Sequence, residues 1–152
     1  MSRDFRDLLA EFNAHGVEYL VVGAHALAAH GHVRATKDLD VWVRPDPANA
    51  KRVLVALRSF GAPLHDLSAS DLSTPGVVFQ IGVPPLRIDV LTAIDGVTFD
   101  EAWPARMPAA FADVPVSVLS KRHTIQNKRA AGRTQDLADI ERLEGKVLRR
   151  RK

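Results

Sequence analysis

The stretch VVGAHALAAHGHVRATKDLDVWV, from Val21 to Val43, constrains this chain more than any other. It sets a glycine turn between a β-like apolar run and a second run that carries Asp38 and Asp40. Side chains at i and i+2 of a strand project from the same face, so the two carboxylates point the same way. Leu39, Val41 and Val43 alternate with them and share the other face. This strand therefore has one apolar face and one face available for chemistry.

The neighbouring sequence supplies partners for that strand. Phe5, Leu8, Leu9 and Phe12 recur at helical spacing, and Gly16 would end the helix. Tyr19 to Val22 reads as a strand that stops at Gly23. HALAAH has the alanine and leucine content of a short helix before Gly31 breaks it. Asp46-Pro47 starts a helix whose stripe is Ala50, Val53, Leu54 and Leu57 and whose stop is Gly61. Pro63 to Gly76, rich in Ser, Asp and Pro, reads as a surface loop or lid. Val77 to Ile81 and Leu86 to Leu91 flank Gly82-Val83-Pro84-Pro85 as an antiparallel hairpin. Phe99 to Ala112 is ambiguous, with two prolines and a Trp. Val114 to Val118 is a last strand, Ser120 caps a basic helix that ends near Gly132, and a final helix from Thr134 packs through Leu137, Ile140 and Leu143. The expected class is α/β (α+β): a mixed sheet of four or five strands, helices mostly on one face, and a C-terminal helical pair.

The chain has 152 residues, enough for one domain with a core and too few for two ordinary ones. We read residues 1–148 as that domain and 149–152 as a basic tail. Hydrophobic residues at 46% and charged residues at 26% exclude global disorder. No apolar run approaches the roughly 20 residues of a spanning helix, and MSRDFRDLLAEF lacks the apolar core of a signal peptide. A cytoplasmic setting is expected. The absence of cysteine agrees with it and excludes disulfides and thiolate metal sites. The net charge of +3 is concentrated in Lys121 to Arg133 and in the tail. The tail reads as a solvated run, able to add salt-sensitive attraction to nucleic acid but no specific site.

A third acid matters. Asp89 lies between Ile88 and Val90, in a segment otherwise suited to burial. A carboxylate amid β-branched residues is costly unless it is paired or bound to a cation. Asp38, Asp40 and Asp89 on neighbouring strands would suit two divalent ions about 4 Å apart, one activating a hydroxyl and one neutralising a triphosphate leaving group. Oxygen-only donors favour Mg²⁺ or Mn²⁺ over zinc. The alternative reading is plainer: Asp-Leu-Asp occurs at strand ends and turns, and Asp89 can be salt-bridged to Arg87 or Lys37.

In order and spacing these residues resemble the DNA polymerase β-like nucleotidyltransferase superfamily. Its pattern is a strand, Gly followed by Gly or Ser, a spacer, Asp-x-Asp/Glu, and a later acid on a neighbouring strand. Gly23-Ala24, thirteen intervening residues, Asp38-Leu39-Asp40 and Asp89 in RIDVL follow it. RATKDLDVWV and NKRAAGRTQDLADIERL further resemble the small bacterial, AbiEii toxin-like branch, so the likeness runs roughly from Val17 to Leu143. The resemblance implies Asp38 and Asp40 as ligands of both metals, Asp89 as ligand of the catalytic metal and possible activator of the acceptor hydroxyl, and Gly23 and Ala24 against the triphosphate. Ala24 departs from the pattern, since it keeps the backbone N–H but offers no hydroxyl to phosphate. By the same resemblance Lys128 would hold nucleotide phosphates and Asp136 would orient it, with a salt-bridged helix pair as the competing reading. Lys37 and Arg34 are triphosphate contacts or charge balance.

His25, His30 and His32 do not share a helix face, so a zinc site is not expected. Trp42 and Trp103 suit core packing better than base stacking. Three functions compete. The first is transfer of a nucleotidyl group from an NTP to a hydroxyl on an RNA end, a protein side chain or a small molecule, in a toxin–antitoxin setting. The second is a catalytically silent binding or regulatory partner of the same fold. The third, a plain nucleic-acid module, would leave three acids repelling phosphate. With no separate acceptor domain in evidence, a partner chain or homo-oligomer is expected to supply specificity.

Overall fold

The computed structural model describes residues 3–33, 36–83 and 86–145. The expected basic tail, the Pro84-Pro85 turn and Arg34 lie outside them. The helices are α1 (Arg3–Ala14), α2 (Gly23–Ala29), α3 (Pro47–Phe60), α4 (Ala69–Leu72), α5 (Phe99–Ala102), α6 (Lys121–Ala131) and α7 (Thr134–Glu144). The strands are β1 (Tyr19–Val22), β2 (Asp38–Val43), β3 (Val78–Val83), β4 (Leu86–Leu91), β5 (Met107–Phe111) and β6 (Val114–Val118). They form one mixed sheet in the order β3-β4-β2-β1-β6-β5. β2 runs parallel to β4 and antiparallel to β1, and β1 runs parallel to β6.

The helix signals act as their chemistry dictates. Asp46 caps α3 by accepting from the Asn49 backbone N–H at 2.7 Å, and Gly61 ends it in the left-handed conformation, φ 94°. Ser120 caps α6 by accepting from the His123 N–H at 3.1 Å. Phe5, Leu8, Leu9 and Phe12 of α1 and Ala50, Val53 and Leu57 of α3 are buried against Val21, Leu39, Val41, Ile88 and Val90 on one face of the sheet. Each large side chain buried there contributes about 1.5–3 kcal/mol.

Polar stitching fixes the ends of this layer. Buried Asn49 accepts from the Glu18 N–H and donates to the Glu18 and Arg44 carbonyls, so its amide is satisfied. The Tyr19 hydroxyl donates to Asn13 Oδ1 at 2.9 Å, and Asn13 Nδ2 donates to the Pro115 carbonyl at 2.7 Å, tying α1 to β1 and β6. Burial pushes the Tyr19 phenol up to about 12, which keeps it a donor.

Four expectations need correction. Among the described residues the sheet has six strands rather than four or five, because the ambiguous Phe99 to Ala112 stretch folds into α5, a 3-10 turn at Trp103–Ala105 and β5. Pro108 lies in β5, an edge strand, where a missing N–H is tolerated. The helices are not confined to one face, since Val97, Phe99 and Ala102 pack with Leu20, Val22, Trp42 and Leu119 on the other. Pro63 to Gly76 is no free lid: Ser68 and Asp71 form a capping box for α4, Leu72 is buried, and Leu64 and Leu67 pack on the core. Leu137, assigned to the buried stripe of α7, is 51% exposed, while Ile140 and Leu143 are buried.

Leu72→Ala is expected to cost about 2–4 kcal/mol in urea unfolding, and Leu137→Ala less than about 0.5 kcal/mol. Equal losses would mean that the segment before β3 does not belong to the core.

Candidate active site

Register builds the site. Paired residues of adjacent strands share a face, and three successive rows can be followed across the sheet. The first holds Gly82, Arg87 and Asp38; the second Gln80, Asp89, Asp40 and Val22; the third Val78, Leu91, Trp42 and Leu20. One face is thus acidic where β1 ends and β2 and β4 begin. It becomes apolar two residues further along β2, where Trp42 meets Phe99 edge-on at 5.0 Å between ring centroids. Trp42 is buried and Trp103 stacks on Phe99, so both tryptophans serve packing.

Asp40 and Asp89 stand side by side in the second row. Asp89 is buried and Asp40 partly so. Burial, then the neighbouring charges of Asp89 and Asp38, push the Asp40 carboxyl up to about 6, and in its protonated form it hydrogen-bonds Asp89. The Arg87 guanidinium offsets part of this charge. Its Nη2 lies 3.3 Å from Asp38 Oδ2, and its Nε lies 3.2 Å from Asp89 Oδ1. That second contact lacks hydrogen-bond alignment, and Asp89 Oδ1 is buried without a hydrogen-bond partner.

Gly23 belongs to the same construction. It opens α2 with φ +70°, and a Cβ built on it would collide with the Asp40 carboxylate oxygen. Glycine is needed at that point for conformation and for space alike. Ala24 follows on α2, and Lys37 is exposed immediately before β2, where its carbonyl accepts from the Arg87 N–H. Asp38, Asp40, Asp89 and Gly23 are therefore brought together.

The donor chemistry suits a hard divalent cation: oxygen ligands only, like charges pressed together, and one buried carboxylate oxygen left without a hydrogen bond. Asp38, Asp40 and Asp89 are the residues that would hold it. Among the described residues no ready-made cage of three His, Asp or Glu groups is closed, and Asp38 is engaged by Arg87 instead.

Lys128 and Asp136 form a separate cluster between α6 and α7. Lys128 Nζ lies 3.0 Å from Asp139 Oδ2 and 3.5 Å from Asp136 Oδ1, and all three residues are buried. Arg133 grips Asp136 from outside through Nε at 2.6 Å and Nη2 at 3.1 Å, and this holds the Asp136 carboxyl below the usual range. The geometry is that of the salt-bridged helix pair. His30 is tied to the Leu119 carbonyl at 2.8 Å, whereas His25 lies between Phe5 and Phe111, its pKa lowered by burial. Sequence reasoning missed Gln80, which only the pairing of β3 with β4 places beside Asp89.

No protein-family profile matches the chain, and no curated protein matches it in sequence. Solved structures do match. The antibiotic-resistance factor ANT(2'')-Ia, in solution, superposes with a TM-score of 0.63 at 15% identity over 95% of this chain and 82% of that chain. A candidate nucleotidyltransferase from Thermotoga maritima gives 0.61 at 15% over 95% and 92%. The lincosamide antibiotic adenylyltransferase LnuA, with lincomycin bound, gives 0.60 at 13% over 95% and 96%. The fold is that of these nucleotidyltransferases.

Two predictions arise from the site. An acid whose pKa is raised on folding takes stability away as pH climbs from its unfolded value to its folded one. Ionised Asp40 therefore destabilises the metal-free protein fully above pH about 6 and hardly at all near pH 4. Asp40→Asn should gain on the order of 2 kcal/mol over wild type at pH 7.5 and almost nothing at pH 4 in denaturation with chelator present; a gain independent of pH would exclude this charge cluster. For the second cluster, Lys128→Met should cost about 3–5 kcal/mol by stranding buried carboxylates. Adding Asp139→Leu should recover part of that loss in the same urea titration.

Proposed function

We propose that this chain is a metal-dependent nucleotidyltransferase that moves a nucleoside monophosphate from an NTP to a hydroxyl acceptor. The observation that carries the reading is the registered pair Asp40 and Asp89 on β2 and β4, with Asp38 in the next row and Gly23 packed against Asp40, on the nucleotidyltransferase fold. A likeness at 13–15% identity supports the fold, and the acids support the chemistry.

In this reading Asp38, Asp40 and Asp89 hold Mg²⁺ or Mn²⁺, which when bound polarises the phosphates and lowers the pKa of the attacking hydroxyl. The acceptor oxygen bonds to the α-phosphorus, the bond from that phosphorus to the bridging oxygen breaks, and pyrophosphate leaves. In the same reading Asp89, buried and paired with Asp40, takes the hydroxyl proton. The Gly23 and Ala24 backbone approaches the triphosphate, with the exposed Lys37 as a further cationic contact. Lys128 and Asp136 are already engaged with each other, Asp139 and Arg133. We therefore assign them to holding α6 against α7, and phosphate would reach Lys128 only if those ion pairs opened.

The antibiotic acceptors of LnuA and ANT(2'')-Ia favour a small hydroxylated molecule as acceptor; an RNA end or a protein side chain is the further option. A cytoplasmic, bacterial toxin–antitoxin role of the AbiEii-like kind, with a partner chain or a second copy supplying acceptor contacts, extends the same proposal. No helix among the described residues is long and apolar enough to cross a membrane.

Calorimetric titration of each NTP, with Mg²⁺ and then with EDTA, tests the reading. The expected result is binding in the micromolar range that requires the metal and disappears in Asp38→Ala/Asp40→Ala. Absence of binding for every NTP would favour a catalytically silent partner of the same fold, a reading to which Ala24 already lends weight.

A further inference from the structure

The contacts of Arg87 differ in kind from the two-pronged arginine pairs Arg6–Asp113 and Arg133–Asp136. Arg6 meets Asp113 through Nε at 2.7 Å and Nη2 at 2.9 Å, and Arg133 meets Asp136 at 2.6 and 3.1 Å. Those are two-pronged, charge-assisted hydrogen bonds of ordinary length, made even though Asp113 is exposed. Arg87 instead reaches three oxygens of two residues at 3.3, 3.2 and 3.5 Å. Its Nε and Asp89 Oδ1, both buried, come close without forming a hydrogen bond. The fork is spread between Asp38 and Asp89 and fully satisfies neither.

Position explains the compromise. Arg87 is the register partner of Asp38 and lies two residues before Asp89 on the same face of β4, so one guanidinium faces acids of two adjacent rows. Asp40 completes a group of three carboxylates whose charge Arg87 offsets in part. A guanidinium bonded well to one carboxylate would be hard to dislodge; one shared loosely among several leaves little behind when it goes. Arg87 is also about a third exposed, with a side-chain relative accessibility of 31%, so it has solvent to move into.

We propose that Arg87 is the protein's own stand-in for the divalent cation: it neutralises Asp38 and Asp89 in the metal-free chain and is displaced from between them when the ion binds. The inference rests on the reading that Asp38, Asp40 and Asp89 hold such an ion. It assigns Arg87 a positioning role and gives it a direct effect on cation affinity. Every binding event must first break the Arg87 contacts, so the cation alone binds weakly. The displaced guanidinium is then free for another anion, and a planar fork matches a phosphate well.

The test is Mn²⁺ binding to the full chain without nucleotide, followed by electron paramagnetic resonance of the free ion, for wild type, Arg87→Met, Arg87→Lys and Asp40→Asn. Arg87→Met should bind Mn²⁺ about tenfold more tightly than wild type, because a competing charge is gone. Arg87→Lys, which keeps the charge but not the fork, should fall between them, and Asp40→Asn should bind more weakly than wild type. Melting temperatures with EDTA and with Mn²⁺ give a second readout: Arg87→Met should melt below wild type in EDTA and show the larger upward shift with Mn²⁺. Binding by wild type with equal or weaker binding by a folded Arg87→Met would overturn this inference and leave the cation site standing. Absence of Mn²⁺ binding in all four proteins would overturn the cation site and this inference with it.

Discussion

The parallel register of β2 against β4 is the constraint on which the rest depends. It sets Asp40 beside Asp89 and Asp38 beside Arg87, and because side chains alternate, a slip of one residue would bury the acids under α1 and α3 and turn Leu39 and Val41 outward. Such a slip is opposed by the apolar layer. Leu39, Val41, Ile88 and Val90 interlock with α1 and with α3, which Asp46 starts and Gly61 stops. The core thus does more than stabilise the domain: it holds like-charged groups closer together than they would settle unaided. Stability and site geometry are the same fact seen from opposite faces of one sheet.

The two charged clusters show different uses of burial. Between α6 and α7, Lys128 faces two carboxylates, and Arg133 adds a tight outer pair, so the charges are matched and the arrangement is closed. On the sheet, among the described residues, Arg87 faces the carboxylates of Asp38 and Asp89 beside Asp40, the contacts are long, and Asp40 holds its proton to higher pH than an ordinary aspartate. A matched cluster specifies how two helices meet, whereas an unmatched one retains an appetite for further positive charge. That difference separates the part of the molecule that is assembled from the part that is poised.

What the sequence made legible was local chemistry. Strand alternation placed Asp38 and Asp40 on one face, Asp46-Pro47 and Ser120 marked helix starts, and the isolated acid in RIDVL announced a residue needing company. The unreadable parts were those set by tertiary neighbours. β5 exists because an edge position accepts Pro108, and no property of MPAAF announces an edge. The loop before β3 looked mobile because its polar residues outnumber Leu64, Leu67 and Leu72, yet those three anchor it. Leu137 fitted the helical period but faces solvent. Arg87 was visible as a candidate partner for Asp89, but its stretched reach to Asp38 needed two strands in register.

Gly23 has a consequence for how such chains diverge. Its φ and the missing space beside Asp40 impose two separate requirements, and only glycine meets both. A descendant that lost the Asp40 carboxylate would relax the spatial requirement while keeping the conformational one, so asparagine or aspartate would become tolerable at position 23. Position 23 is thereby a written record of position 40: across diverged copies of this domain, glycine there should accompany the acid, and drift there should follow its loss.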